Sequence, residues 1–313
     1  MKILRDIIRF FRAQLSFPFN KKETSLSKKN QKLLNEIYFK AKQIEKDNKI
    51  KLNTHIIFSK SILNLILKKN LLNFLQKGFI QQMFFIHNRF FILFELLEMI
   101  KDKNWNFWKK IVKEDNIGNP VKFFLYPYSS GNKIHQTYHL KKYKEFSKVN
   151  LKKFNNILEL GGGYGNMAKT FYKLNNKVNY TIFDTKEVSL LQLYYLKRSN
   201  INVGFGSSKK IKLINNFRDL KKIFSKHKKG KNLLIANWSI SEFPIKLRKD
   251  LNFIFKYFDH QIISFQKNFE MIDNNKYFQK INKLNKVNNR TSKIIELNNK
   301  KNNFYLFSFK KEK

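Results

Sequence analysis

Glycine is concentrated at one place in this chain, and that concentration limits the available folds more than any other feature. The sequence has 10 glycines in 313 residues, and four of these fall in the stretch NILELGGGYGNMAKTF, residues 156–171. An apolar strand pattern precedes the glycines, and a helical pattern follows them. The order strand, glycine turn, helix is typical of a doubly wound sheet, in which ligands bind beyond the carboxyl ends of the strands.

The chain after this turn supports that fold class. Strands are predicted in NILEL, YTIFD, NLLIANW and QIISFQ, with weaker signals at 201–205, and helical patterns alternate with them. Two late runs, SKIIELN and NFYLFSFKK, predict a terminal antiparallel hairpin, which Rossmann-like methyltransferases add to the plain nucleotide-binding arrangement. We therefore predict an α/β fold with a doubly wound, mostly parallel sheet, a terminal antiparallel hairpin and a preceding α-helical N-terminal region.

The first half of the chain has apolar residues at helical intervals. Helices are predicted at about 33–44, 56–76, 79–100 and 134–146. Turn-forming residues in YPYSSG, 126–131, predict a loop region before the last of these helices. We predict two domains, a helical region at 1–147 that covers the acceptor and a Rossmann-like domain at 148–313.

The spacing of the glycines fits two kinds of ligand. Read from Glu159, the pattern is E-x-G-x-G-x-G, the spacing of S-adenosylmethionine sites; read from Gly163, it is the dinucleotide fingerprint G-x-G-x-x-A, ending at Ala168. A carboxylate beneath the turn attracts the ammonium group of the methyl donor and repels a pyrophosphate, so Glu159 favours S-adenosyl-L-methionine. Its alternative is a solvated carboxylate at the strand end. The turn residues predicted to bind the donor are Gly161, Gly162, Gly163, Tyr164 and Gly165.

Asp184 ends the second predicted strand. A carboxylate at this position accepts hydrogen bonds from both ribose hydroxyls of a bound nucleoside. The alternative is a helix N-cap, because D-T-K-E matches a capping box that would end at Glu187. One residue can serve both roles, so Asp184 is predicted as a cofactor-binding residue with the cap left open.

Three segments together resemble a bacterial family of sugar O-methyltransferases. They are LELGGGYGNMA, FDTKEVSLLQLYYL and NWSISEFP, and the resemblance covers about residues 115–270, including the helix that carries HQTYHL. The chain departs from the family at Lys186, where a proline is expected. The resemblance implies a Rossmann-like fold that binds S-adenosylmethionine and methylates a sugar hydroxyl, in the synthesis of a cell-surface glycan.

Methylation of a sugar hydroxyl requires a base close to the acceptor oxygen. Glu242 follows the fourth predicted strand and is the first candidate, and its alternative is a loop carboxylate or the N-cap of a helix beginning near Pro244. His135 and His139 are four residues apart and share a helix face, so with Tyr138 they are candidates to line the acceptor pocket, one acting as base. Their alternative is packing. No third ligand accompanies the histidines, and no metal site is predicted.

The segment after the fourth strand carries further candidates. Asn237 and Ser239 are predicted to bind substrate hydroxyls, with completion of the strand as the alternative. Trp238 between them either stacks on a sugar face or belongs to the apolar core.

The formal net charge of +42 leaves other functions open. It attracts nucleic acid or anionic membranes, but the lysines are spread along the chain, as codon bias in an AT-rich genome would also produce. An RNA or other nucleic-acid methyltransferase is one alternative, although ANWSISEFP lacks the Asn/Asp-Pro-Pro-aromatic segment of base-amine enzymes. An NAD-dependent sugar oxidoreductase is another, and Glu159 counts against it.

The location of the protein is predicted from its N-terminus and its cysteine content. Residues 1–18 carry an apolar helical stripe flanked by basic residues, which either contacts an anionic membrane or packs on the protein. No secretory signal or membrane span is recognised, and Cys 0 fits a reducing compartment. We predict a cytoplasmic protein, with peripheral contact to the inner face of the membrane. A catalytically silent, membrane-associated protein that retains the fold is a further alternative.

Overall fold

The central element of the structure, a computed structural model, is an eight-stranded sheet. The structure describes residues 25–47, 54–84, 89–206, 209–224, 231–297 and 300–311. The strands of the sheet are β3 (Asn156–Leu160), β4 (Asn179–Phe183), β5 (Val203–Gly204), β6 (Ile211–Ile214), β7 (Asn232–Asn237), β8 (His260–Gln266), β11 (Arg290–Glu296) and β12 (Asn303–Lys310). Two short antiparallel pairs lie outside it, β1 (Lys122–Phe123) with β2 (Tyr126–Ser130) and β9 (Asn268–Phe269) with β10 (Ile272–Asp273).

The strands follow the order β11-β12-β8-β7-β3-β4-β6-β5. From β5 to β8 neighbouring strands are parallel, whereas β12 is antiparallel to both β8 and β11. The predicted fold class, a doubly wound sheet with a terminal antiparallel hairpin, is therefore confirmed. The order reverses at β3, which has β4 on one side and β7 on the other, so the carboxyl end of β3 is the switch point at which such sheets bind ligands.

Helices cover both faces of this sheet. The α-helices of the described residues are α1 (Lys28–Asp47), α2 (Thr54–Leu67), α3 (Gly78–Met83), α4 (Phe90–Ile100), α5 (Trp105–Val112), α6 (Gly131–Ser147), α7 (Asn166–Leu174), α8 (Lys186–Arg198), α9 (Phe217–Phe224), α10 (Ile245–Leu251) and α11 (Asn274–Val287). One face of the sheet, with Leu158 and Leu234, packs against α9, α10 and α11 in an apolar core. On the other face, Tyr143 of α6 donates to the carbonyl oxygen of Ser308, and Phe171 of α7 contacts the ring of Tyr180. The largely apolar parallel strands in the middle of the sheet reflect burial on both faces.

The contacts of the chain divide it into two compact units. The first consists of Met1–Tyr138, Gly163–Asn166 and Thr185–Ile201, and the second of His139–Gly162, Met167–Asp184 and Asn202–Lys313. The predicted domains, 1–147 and 148–313, are continuous segments, and that division stays a prediction. In the first unit, an apolar cluster joins α4, α5, β1 and the beginning of α6.

Several elements differ from the sequence prediction. The helix predicted at 79–100 is two helices, since α3 ends at Met83 and α4 begins at Phe90, and α5 was not predicted. The helix predicted at 56–76 ends at Leu67, because Lys69 adopts a positive φ of 51° and the amide of Asn70 bonds to the carbonyl oxygen of Leu65, which closes the helix end. The predicted loop YPYSSG contains β2, which pairs with β1. Strand β6 was not predicted, since its short IKLI pattern also fits a helix turn.

Two predictions concern the membrane. The segment 1–18, predicted to contact a membrane, lies outside the described residues. Among the helices that the structure describes, none has both the length and the apolar character that crossing a bilayer requires.

Candidate functional site

The glycine turn joins β3 to α7. Gly161, Gly163 and Gly165 have φ angles of 69°, 54° and 97°, in a region that costs a residue with a Cβ about 1–2 kcal/mol. The amide of Gly161 donates to the carbonyl oxygen of Phe183 at 2.9 Å, which fixes the beginning of the turn to the end of β4. The first amides of α7 follow, and amides at a helix N-terminus donate to anionic groups of ligands.

The turn also needs glycine because protein side chains approach it. A Cβ on Gly161 would lie 2.4 Å from the Cβ of Ser239. Within the first unit, a Cβ on Gly163 would lie 3.2 Å from the ring of Phe84. The sequence interpretation assigned these glycines to the approach of a ligand, and the structure adds a second reason on the Cβ side.

Tyr164 lies in the first unit with its side chain buried. Its hydroxyl accepts a hydrogen bond from Asn132 at 3.1 Å and donates to Glu114 at 3.4 Å, while its ring packs edge-to-face on Phe74 and Tyr195. Burial and the nearby Glu114 charge raise the pKa of the hydroxyl well above its usual value. The side chain of Tyr164 is thus engaged within the first unit, and the predicted cofactor contact of this residue stays a prediction.

Glu159 is buried beneath the turn, with 4% of its surface exposed. The hydroxyl of Tyr180 donates to its carboxyl group at 2.8 Å. Burial raises the pKa of Glu159 from 4.5 to about 8; the Tyr180 hydrogen bond opposes this shift, and the Asp184 charge adds to it. The alternative of a solvated strand-end carboxylate is wrong, and the group is mostly protonated at neutral pH in the absence of a cation.

Asp184 is half-buried at the end of β4. Its amide donates to the carbonyl oxygen of Ile214 at 3.0 Å, which continues the pairing of β4 with β6. The N-cap of α8 is Thr185, whose hydroxyl accepts from the amide of Val188 at 3.4 Å. The capping alternative for Asp184 is therefore wrong, because the chain is still extended at this residue. Its ribose contact stays a prediction.

A row of polar side chains crosses the sheet at the end of β7. Asn237 pairs with Ser264 of β8, and Ser264 pairs with Tyr305 of β12. The hydroxyl of Ser264 donates to Oδ1 of Asn237 at 3.0 Å, and Nδ1 of His139 lies 2.7 Å from the hydroxyl of Tyr305. We name these four residues the polar row.

The polar row lies on the same face of the sheet as Glu159. In the parallel pair β3–β7, Glu159 is opposite Ile235, and Asn237 is two residues further along β7. Because side chains alternate between faces, residues two apart point to the same side. Glu159, Asn237 and His139 therefore belong to one face at the carboxyl edge of the sheet.

The loop after β7 is fixed to β3. The hydroxyl of Ser239 donates to the carbonyl oxygen of Leu160 in a short hydrogen bond. This contact gives Ser239 a structural role, and its predicted bond to a substrate hydroxyl stays a prediction. Trp238 is half-buried and has a positive φ of 67°, which is unusual for a large side chain, and its ring lies 6.4 Å from the ring of His139.

Glu242 is half-buried in a short 3₁₀ turn after this loop. Nε2 of Gln266 donates to its carboxylate at 3.4 Å. The N-cap of α10 is Pro244, so the capping alternative for Glu242 is wrong. Its predicted role as base stays a prediction.

Arg248 organises the same loop from within the core. Its guanidinium is fully buried and donates to the carbonyl oxygens of Phe243 and Ser241 at 2.7 and 2.6 Å and to Oδ1 of Asn274 at 2.7 Å. Burial lowers the pKa of Arg248. A buried cation held by three acceptors fixes the backbone that carries Glu242.

The two remaining base candidates have different partners. Nδ1 of His135 lies 2.8 Å from the carboxylate of Glu95, and both side chains are buried in the first unit. A carboxylate that accepts from Nδ1 keeps the imidazole in the tautomer whose Nε2 is a base. The hydroxyl of Tyr138 donates to Glu98 at 2.5 Å. His139 instead pairs with Tyr305 in the second unit. The two histidines therefore have different hydrogen-bond partners, and the predicted role of either one as base stays a prediction.

Comparisons with known proteins find a likeness in fold alone. No family model matches the sequence, and no curated protein matches it. A ribosomal protein L11 methylase from Lactobacillus delbrueckii subsp. bulgaricus is 14% identical, with 57% of this chain and 80% of that chain covered and a TM-score of 0.37. A precorrin-6y C5,15-methyltransferase from Geobacter metallireducens is 9% identical, with coverages of 56% and 87% and a TM-score of 0.37. The mitomycin 7-O-methyltransferase MmcR is 9% identical, with coverages of 70% and 72% and a TM-score of 0.35.

At these low scores and identities, the assignment depends on the strand order and the terminal hairpin described above. The chain has a Rossmann-like methyltransferase fold. In this methyltransferase fold, the turn after the first strand of the sheet and the acid after the second strand flank the switch point.

The residues at this switch point fit a cationic nucleoside ligand. Among the described residues, the amides of Gly162 and Gly163 have no carbonyl partner, whereas that of Gly161 does. Glu159 is held close to the turn, and the charge of Asp184 reaches it. Free amides suit a carboxylate, and the two acids suit an ammonium group and a ribose.

Sequence reasoning did not find several residues of this site. Those residues are Tyr180, Ser264, Tyr305, Gln266 and Arg248. Each acts through a partner distant in sequence, so its role depends on strand register or helix packing. The one available signal was strand-end polarity, in the serine of QIISFQ.

Proposed function

We propose that this protein is an S-adenosylmethionine-dependent O-methyltransferase whose acceptor is a sugar hydroxyl, with a role in glycan synthesis. The observation that carries the proposal is the pair of acids at neighbouring strand ends, Glu159 and Asp184, with the glycine turn beside them. S-adenosylmethionine supplies an electrophilic methyl group on a positively charged sulfur. A dinucleotide would bring a pyrophosphate to the same turn, and an ionised Glu159 beneath the turn would repel it.

The roles of the donor-binding residues follow from their chemistry. The amides of Gly162 and Gly163 donate to a carboxylate, and Glu159 accepts from an ammonium group once its own proton has left. Asp184 accepts from two ribose hydroxyls. These contacts hold the reactive methyl group at the carboxyl edge of the sheet, on the face that carries the polar row.

The acceptor is bound by the polar row and the loop after β7. Asn237 and Trp238 suit a sugar, because an amide bonds to hydroxyls and an indole stacks on the apolar face of a pyranose. Glu242 is the first candidate to take the hydroxyl proton, since it is a half-buried carboxylate in the same loop. His139, oriented by Tyr305, is the second.

Calorimetric titration with S-adenosylhomocysteine and with NADH tests the donor. We expect S-adenosylhomocysteine to bind with micromolar affinity and NADH not to bind. Asp184→Ala should weaken the binding of S-adenosylhomocysteine about thirtyfold, which corresponds to the loss of about 2 kcal/mol expected for charge-assisted hydrogen bonds. Asp250→Ala is the matched control, since Asp250 is an exposed carboxylate on α10 and should leave binding unchanged. Binding of NADH instead, or equal affinities in both variants, would refute the proposal.

The charge of +42 favours one second function, methylation of RNA ribose. Such an enzyme would bind the same donor, so the acceptor decides. RNA affinity that falls steeply between 50 and 200 mM salt, as counterion release predicts, together with methyl transfer to RNA, would support that function over a sugar acceptor.

A further inference from the structure

The turn between β11 and β12 reaches the carboxyl edge of the sheet. Asn303, the first residue of β12, pairs with Gln266, the last residue of β8. The amide of Lys267 donates to the carbonyl oxygen of Asn302 at 2.8 Å. Because β7 and β8 are parallel, the end of β7 lies at this same edge. The terminal hairpin therefore brings Lys300 to the loop that follows β7.

Lys300 lies on the indole of Trp238. Its Nζ is 4.2 Å from the ring centroid, and both side chains are half-buried. An ammonium group over an indole face is stabilised by the ring, and it carries three N–H donors. The positive φ of Trp238 is strained for a large residue, and strain of this kind accumulates at functional sites.

Asn237 supplies a second donor next to this pair. Its Oδ1 is occupied by the hydroxyl of Ser264 at 3.0 Å. Its Nδ2 is buried and, among the described residues, has no hydrogen-bond partner. An unsatisfied buried donor is unfavourable, and a ligand oxygen at this position would remove the penalty.

We propose that the acceptor sugar carries an anionic substituent, a carboxylate or a phosphate, which Lys300 binds while the sugar ring stacks on Trp238 and a ring oxygen or hydroxyl accepts from Asn237. This inference depends on the proposed methyltransferase function, since it names the substrate class of that site. Glu242 is the acidic group of the same loop and takes a hydrogen bond from Gln266. The acceptor region thus has a basic group, Lys300, and an acidic group, Glu242, and the neutral hydroxyl belongs beside the acidic group.

The net charge of the chain agrees with an anionic substrate but does not select this position. A charge of +42 raises the local concentration of any anion. The position is selected by the three side chains described above, and this gives the proposal a matched control. Lys301 is the next residue of the same turn, is exposed and has the same charge.

The test is a titration of the full chain with glucuronic acid, glucose 6-phosphate and glucose. The chain has three tryptophans, so its NMR spectrum contains few indole N–H signals. The signal of Trp238 is assigned as the one that disappears in Trp238→Phe, and it is then followed during the titration. We expect the anionic sugars to shift this signal with an affinity about tenfold above that of glucose, and more salt to weaken them. Binding of the uronate alone or of the phosphate alone would identify which anion the site takes.

Variants separate the charge from its surroundings. Lys300→Gln should reduce the affinity for the anionic sugars about tenfold, to that of glucose, while Lys300→Arg and Lys301→Gln retain it. Equal affinities for charged and neutral sugars, equal effects at Lys300 and Lys301, or no shift of the Trp238 signal would overturn the proposal. S-adenosylhomocysteine is titrated in parallel. Its binding should survive Lys300→Gln, and its failure to bind wild type would count against the methyltransferase function instead.

Discussion

Replacing Gly161 with alanine is expected to destabilise the protein by about 3 kcal/mol. Two effects add, because the backbone at Gly161 has a φ of 69° and the new Cβ would lie 2.4 Å from the Cβ of Ser239. Neither atom is the end of a flexible chain, so β3 and the loop after β7 must separate. Chemical denaturation of wild type and variant measures the loss, and calorimetry should show weaker binding of S-adenosylhomocysteine.

A double substitution distinguishes the two effects. Ser239→Gly removes the opposing Cβ, so the pair Gly161→Ala and Ser239→Gly should be more stable than the sum of the single changes by about 1–2 kcal/mol. Gly206→Ala is the control, since a Cβ there meets no atom within 4 Å and no positive φ is involved. A variant Gly161→Ala as stable as Gly206→Ala would contradict this account of the turn.

Glu159→Gln is expected to gain stability relative to wild type as the pH rises. The pKa of Glu159 is about 8 in the folded protein, against 4.5 for an ordinary glutamate. Between these values the folded state binds a proton that the unfolded state has lost, so the free energy of unfolding of wild type falls with increasing pH. Glutamine has no such proton. The difference between the two proteins should therefore grow by about 4 kcal/mol from pH 4.5 to pH 8.

Denaturation at pH 5 and pH 8 measures this change. Asp250→Asn, an exposed carboxylate replaced by its amide, should show a much smaller dependence on pH. A constant difference between Glu159→Gln and wild type would mean that the carboxyl is ionised in the folded state.

The same carboxyl predicts that donor binding releases close to one proton at pH 7, since an ammonium group favours the charged form of Glu159. Calorimetry in two buffers with different ionisation enthalpies detects that proton.

The sequence predicted most strands of the sheet because they are largely apolar runs bounded by polar and turn-forming residues. NILEL and the helix NMAKTFYKL coincide with β3 and α7, and the terminal hairpin lies where SKIIELN and NFYLFSFKK indicated. Strand β6 escaped prediction because a four-residue run has no reliable period. The end of the second helix depended on Lys69 in a left-handed conformation, which propensity does not foresee.

The sequence indicated which residues form the candidate site, but it did not indicate their burial or their protonation. Glu159 and Asp184 were located from the pattern of strand, glycine and acid, but the pattern does not tell a solvated carboxylate from a buried one. The burial of Glu159 depends on Tyr180 of the neighbouring strand. Tyr180 comes two residues before Ile182, which pairs with Glu159, so its side chain lies on the same face as that of Glu159. Thr185 replaces Asp184 as the cap because Asp184, the last residue of the predicted strand, still pairs with β6. Both facts arise from strand register.

The strand order has a consequence for self-association. The two edges of the sheet are β5, with only two residues, and β11, which carries exposed Lys293 at its middle. An open edge strand invites the backbone of another molecule to add to it, and both a very short strand and a lysine in its centre prevent such addition. The abundance of lysine, whatever its genomic origin, thus protects the longer edge from intermolecular strand pairing, and replacing Lys293 with valine should make the protein more prone to aggregate.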